Sequence, residues 1–143
     1  MAKIEICEED LIRLDERIAR EIFGLEKRRE QANVWKLVVE QAGWYKPRAK
    51  QSEYNLSMLP KYSQDLNEAI KVARMVASNK QVGFSLEFDA ISENLWKIIF
   101  FFKEHAEIKT PIMTGREEDE DNLAFRICSI SLSFQKNFLD RVK

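Results

Sequence analysis

Histidine is almost absent. One residue, His105, stands among 143, so a mechanism needing two imidazoles from one chain, a paired-histidine phosphodiesterase or a histidine metal centre, is excluded at the outset. Cysteine is nearly as scarce: Cys7 and Cys128 are the full complement, too few for a disulfide framework. Residues 1–10 carry acids where a secretory leader would carry a basic flank and an apolar stretch. With the two thiols, this points to a reduced cytoplasmic location. Four scattered glycines leave no phosphate-cradling loop and no nucleophile elbow. No apolar run approaches the ~18 residues of a membrane span. Neither sign of charge dominates, with 23 Lys and Arg against 24 Asp and Glu and a net charge of −1. Bulk attraction to a nucleic-acid polymer or to anionic lipid is therefore not the organising force, and any anion site must be local.

What remains is a globular composition, 45% hydrophobic and 33% charged, at a length where about 68–70% of the unfolded surface can be buried in one core. Leu11, Leu14, Ile18, Ile22 and Leu25 recur at spacings of three and four, an amphipathic helix. After Gly24 and a charged stretch over 26–30, Val34, Trp35, Leu37 and Val38 run on toward Gly43. Residues 1–43 therefore read as two helices or one bent helix, whose stripe packs either on its own domain or against a second copy. Residues 44–62 lose periodicity and hold all three tyrosines among Lys46, Arg48, Lys50 and Lys61, a connector with a local basic character.

Ser63 is a candidate N-cap for a helix whose buried face is Leu66, Ala69, Ile70, Ala73 and Val76. From Gln81 the period becomes two: Val82, Phe84, Leu86 and Phe88 alternate with Gly83, Ser85, Glu87 and Asp89. The apolar run 95–102 should pair with it as a hairpin, with 107–113 as a third strand that Pro111 pushes to an edge. Residues 114–122 hold five acids and Arg116, expected to form a loop. The last segment fits a strand through Cys128, Ile130, Leu132 and Phe134. It also fits a helix through Leu123, Ile127, Ile130, Phe134 and Phe138, with Asp121 as cap and Arg141 and Lys143 at its negative end; its length favours helix. The expected class is α+β: an N-terminal helical oligomerisation region over 1–43, then a helix-backed antiparallel sheet with the binding region over 60–143, in one domain.

No catalytic constellation and no metal cluster emerges, and no cofactor is expected. His105 beside Glu104 lacks a nucleophile to serve. The carboxylates of 117–121 lack the spacing of a calcium loop, and Cys128 reads as a small core hydrophobe. Phe84, Asn94, Trp96 and Lys97, on paired strands with Arg116 close behind, combine an aromatic face, an amide, cations and carboxylates. Those are the groups a nucleotide needs, although Phe84 and Trp96 could equally be the buried face of the sheet.

Ala42-Gly43-Trp44, the run Pro60-Lys61-Tyr62-Ser63-Gln64-Asp65-Leu66-Asn67-Glu68-Ala69, and the strands followed by a C-terminal helix resemble phage proteins described as alpha-beta-alpha sandwiches. With Phe84-Ser85-Leu86-Glu87-Phe88-Asp89, the chain resembles the anti-Thoeris signal sponges. The resemblance implies a non-enzymatic phage protein in the host bacterial cytoplasm. Such a protein sequesters cyclic ADP-ribose isomers made by TIR proteins without cleaving them, and some hold cyclic oligonucleotides at a separate site. It implies that Phe84 stacks on adenine, that Asn94 bonds the ligand, and that Arg116 with Asp119 and Asp121 closes over it. It also implies a homo-oligomer, dimer or hexamer, built on the N-terminal helices, with Arg28 as a second-site candidate. No membrane and no nucleic-acid polymer partner is expected. The alternative is a phage interaction protein that binds and inhibits a host protein.

Overall fold

The computed structural model describes residues 7–104 and 108–142. It opens with α1 (Glu8–Glu21), whose first turn sets Glu8, Glu9 and Asp10 against the positive end of the helix dipole. Gly24, at φ +69°, ends it. A left-handed residue reverses the chain there, and Leu25 N–H donates to Ala19 O at 2.8 Å. The stripe turns inward: Leu14, Ile18 and Ile22 enter the main core and Leu25 a smaller cluster. The stripe thus packs on its own domain, one of the two arrangements its spacing allows.

The expected second helix does not form. β1 (Glu26–Val34) and β2 (Leu37–Tyr45) make an antiparallel hairpin in register from Glu26↔Tyr45 to Val34↔Leu37. Its turn is Trp35-Lys36, at φ +53° and +68°. Two left-handed residues in succession give the turn whose twist suits a hairpin, a position Asn-Gly usually fills. Trp-Lys carries no such signal, and the charges of 26–30 imitate a solvated helix face. β3 (Tyr54–Asn55) pairs with Gly43 and Trp44 at the hairpin base. Trp44, fully buried, rests on Ala19 and Leu25, with Arg20 and Lys27 facing its ring at 5.3 and 5.9 Å.

α2 (Leu66–Lys80) starts two residues later than a Ser63 cap would allow. Asp65 is the cap, its Oδ1 accepting from Asn67 N–H at 2.9 Å and Glu68 N–H at 3.4 Å. Ser63 is buried, and its N–H donates to Asp15 Oδ1 at 2.8 Å while its hydroxyl donates to Leu11 O at 3.3 Å. Gln81, left-handed at φ +55°, closes the helix and turns the chain into β4 (Gly83–Asp89). β4, β5 (Leu95–Glu104) and β6 (Ile108–Glu117) form the second antiparallel sheet, in that order. The third strand is longer than the sequence pattern suggests, so residues 114–117 are strand and not loop. β6 is an edge strand, and its register with β5 shifts at Phe100/Phe101, opposite Pro111.

Asp119 accepts from Asp121 N–H at 2.9 Å and so caps a single turn, Glu120–Asn122, that leads into α3 (Leu123–Val142). The cap is Asp119 and not Asp121. α3 confirms the helical choice for the last segment. One sheet face meets the helices: Ile98 and Phe100 are buried with residues of α1, α2 and α3, and Phe100 stacks on Phe134 at 4.5 Å and 3°. On the other face the ring of Phe101 lies over Gly83, where a Cβ would approach it to 2.3 Å. His105 and Lys143 lie outside the described residues.

Burial lifts the Asp15 carboxyl above the usual carboxylate range, against the Ser63 hydrogen bonds and the Lys61 charge that pull it down. A carboxyl raised on folding stabilises most when protonated and loses that contribution as pH rises through its folded pKa. Asp15→Asn keeps an acceptor and removes the ionisation. Urea unfolding at about pH 4 and about pH 7 should therefore show the wild type gaining on Asp15→Asn at the lower pH. Asp15→Ala, which strands the Ser63 N–H, should lose about 1–3 kcal/mol at both.

Candidate functional site

Charged, amide and aromatic side chains gather at the turn end of the β4–β5 hairpin. Asp89 organises the turn: its Oδ1 accepts from Ile91 N–H at 3.0 Å and Ser92 N–H at 3.1 Å, and its Oδ2 accepts from the Ser92 hydroxyl at 2.6 Å. Those bonds, led by the Ser92 hydroxyl and assisted by Lys97, hold the Asp89 carboxyl down to about 2. Asn94, left-handed at φ +52°, ends the turn and starts β5; asparagine tolerates that conformation better than most residues.

Strand pairing then lines up Glu87, Lys97 and Arg116 across β4, β5 and β6. Because side chains alternate, this row lies on the face away from Ile98 and Phe100. Its ion pairs are loose: Lys97 Nζ stands 3.8 Å from Asp89 and 4.0 Å from Glu93, and Arg116 stands 3.5 Å from Glu93. Two cations side by side, held only by long and partly exposed pairs, can exchange a carboxylate for a phosphate at small cost. On the helix side of the same end, Phe88 and Trp96 pack at 5.0 Å with their planes at 53°, and Phe88 is 47% exposed. A ligand touching rings and cations together lies across the turn.

The structure brings Asn94 and Arg116 to this end, and Asp119 and Asp121 follow directly on β6. Asp119 is occupied as a cap, and Asp121 is exposed. Phe84 is elsewhere. It pairs with Phe100, six residues along β5 from Asn94, which separates the two by about 20 Å at strand rise. Its ring packs on Phe100 at 5.3 Å against the core. Arg28 is elsewhere too, in β1, where it pairs with Glu26 at 2.7 Å and Glu30 at 3.0 Å, donates to Ala49 O, and lies 4.8 Å over the Tyr45 ring. That guanidinium is held in the first sheet by Glu26, Glu30 and the Ala49 carbonyl, apart from the β4–β5 turn.

Sequence reasoning underrated Lys97 and Glu93, which only the strand register places beside Arg116, and missed Phe88. The signal for Phe88 was its period-two alternation with Leu86 toward the turn end of the hairpin. Among the described residues no three His, Cys, Asp or Glu side chains lie close enough together to hold a metal ion. Cys128 is buried, its thiol pushed up by burial and donating to Tyr62 O at 3.2 Å, which makes it a poor nucleophile.

No protein-family model and no curated protein matches the chain. A solved structure described as a phage protein from Bacillus cereus ATCC 14579 is similar over 92% of this chain and 95% of that one, at 15% identity and a TM-score of 0.45.

Substitutions separate core from site. Phe84→Ala should lower unfolding free energy by about 3 kcal/mol, because it opens a gap against Phe100. Asn94→Ala should cost about 1 kcal/mol from its left-handed backbone alone, whereas Asn94→Gly removes the amide with no such penalty. Thermal melts of the three variants check both statements.

Proposed function

We propose that this chain is a binding protein without turnover, whose site is the turn end of the β4–β5 hairpin and whose ligand is an anionic, base-bearing small molecule. The resemblance read from the sequence gives the particular case: a phage immune-evasion protein that sequesters cyclic ADP-ribose isomers of Thoeris signalling. One observation carries the reading, the juxtaposition of Lys97 and Arg116 on neighbouring strands with only loose carboxylate partners. Phosphate oxygens suit that pair, the Phe88–Trp96 rings offer a base an apolar face, and Glu87 and Glu93 can accept from ribose hydroxyls. The buried Cys128 thiol offers no nucleophile for cleavage.

A second reading, a protein that binds and inhibits a host protein, has its own support at the same place. Ile91 at the tip of the turn is 99% exposed beside the half-exposed Phe88, the kind of apolar contact a protein partner covers.

Incubation with cyclic ADP-ribose isomers, removal of the protein by filtration, and release by heat separates these readings. Depletion of the signal followed by recovery of intact ligand supports sequestration, recovery of an altered ligand identifies turnover, and absence of depletion leaves the protein partner. Under the first outcome Arg116→Ala, at an exposed position, should leave the melting temperature unchanged and weaken binding about ten- to a hundredfold. Equal affinity in Arg116→Ala would remove this end of the sheet as the site.

A further inference from the structure

The β1–β2 hairpin carries apolar surface that its own chain leaves uncovered. Trp35 is 92% exposed, Leu37 67% and Val38 66%, and Val39 is exposed as well. Trp44 anchors the base of the hairpin, but residues 35–41 are exposed throughout. The turn departs from what a freely solvated hairpin would choose, since Trp35 and Lys36 hold left-handed conformations that Asn-Gly adopts without strain. A bulky aromatic in a disfavoured backbone, fully open to water, points to a surface made to be covered.

The backbone is open as well. β3 pairs only with Gly43 and Trp44, so among the described residues β2 has no strand partner on that side over 37–42. Beside a two-residue turn, Val34 and Leu37 exchange both ladder bonds, and alternation then points the N–H and C=O of Val38 and Glu40 to the open edge. The outer edge of β1 carries Lys27, Arg28, Arg29 and Glu30, the charged protection that keeps strand edges from associating. The β2 edge over 37–42 has one charge, Glu40.

We propose that β2 pairs antiparallel with β2 of a second copy of this chain, about a two-fold axis through Val38, joining the two hairpins into one continuous sheet. In that register the edge is complementary in charge as well as in backbone. Val38 meets Val38, Leu37 meets Val39, and Lys36 meets Glu40 twice, once on each side of the axis. A centre on any residue keeps outward-facing residues opposite one another, so charge decides among them: centring on Leu37 or Val39 sets Val38 opposite Lys36 or Glu40 and leaves that charge unpaired. Centring on Glu40 sets like carboxylates face to face, centring on Lys36 sets ammonium groups together in the turn, and centring on Ala42 collides with β3. A two-fold contact is closed, and the charged outer edge of β1 stops further addition.

Sedimentation of the full chain over a range of micromolar concentrations, with charge-reversal variants, tests this. Wild type should be a dimer. Lys36→Glu and Glu40→Lys, at exposed positions, should each weaken it about tenfold, and the double reversal should restore it. Val38→Pro removes an N–H that faces the open edge and leaves the β1 ladder bonds in place, so it should give monomers with an unchanged far-ultraviolet circular dichroism spectrum. A wild type that stays monomeric over the whole range, aggregates that grow without limit, or a dimer indifferent to both single reversals would each overturn the proposal.

Discussion

The assembly hinges on one buried joint. Asp15 in α1 accepts the Ser63 N–H, the neighbouring Tyr62 stacks on Phe23 at 5.3 Å, and the Tyr62 carbonyl accepts from Cys128 in α3. α1 and α3 therefore meet at two consecutive residues just ahead of α2. A carboxylate so placed is costly when ionised, and its hydrogen bonds with Ser63 offset that cost only in part, hence its raised pKa. The joint also sits at the start of α2, two residues ahead of its cap Asp65. From α2 the left-handed Gln81 turns the chain into β4, and so the site at the far end of β4 takes its position from Asp15.

The same joint recasts Pro60-Lys61-Tyr62-Ser63, part of the run whose sequence resembles phage proteins. Its residues act as packing and hydrogen-bonding elements, and a motif of this kind speaks for a fold more than for an activity. What binds must be argued from exposed chemistry. Here that chemistry lies at two places: the cations and rings of the β4–β5 turn, and the apolar edge of β2. The first suits a small anion with an aromatic base, the second a strand of matching length.

Much of the architecture was legible. Period-three-and-four stripes marked α1 and α2, period-two alternation marked β4, and a pattern longer than any strand marked α3. The hairpin over 26–45 was not, for two physical reasons. Charges at 26–30 decorate a solvated strand as readily as a helix face, and the turn at Trp35-Lys36 lacks the residues that ordinarily advertise one. The site was half legible. Residue type pointed to Asn94 and Arg116 as candidates, but type says nothing of register. Register separates Phe84 from Asn94 by most of a strand and sets Lys97 beside Arg116. Arg28 illustrates the same limit, since an arginine that looks free in sequence is consumed by Glu26, Glu30 and Tyr45 once β1 folds onto β2.

The central claim is that ligand recognition resides at the turn end of the β4–β5 hairpin. Nuclear magnetic resonance titration of the intact chain with cyclic ADP-ribose isomers, following backbone amides together with the arginine Nε–H groups, tests it most directly. The account predicts shifts confined to residues 87–97 and 114–121, including the Arg116 Nε–H, with Phe84 and the Arg28 Nε–H unmoved. Shifts centred on Phe84 or Arg28, or a spectrum unchanged at saturating ligand, would contradict it.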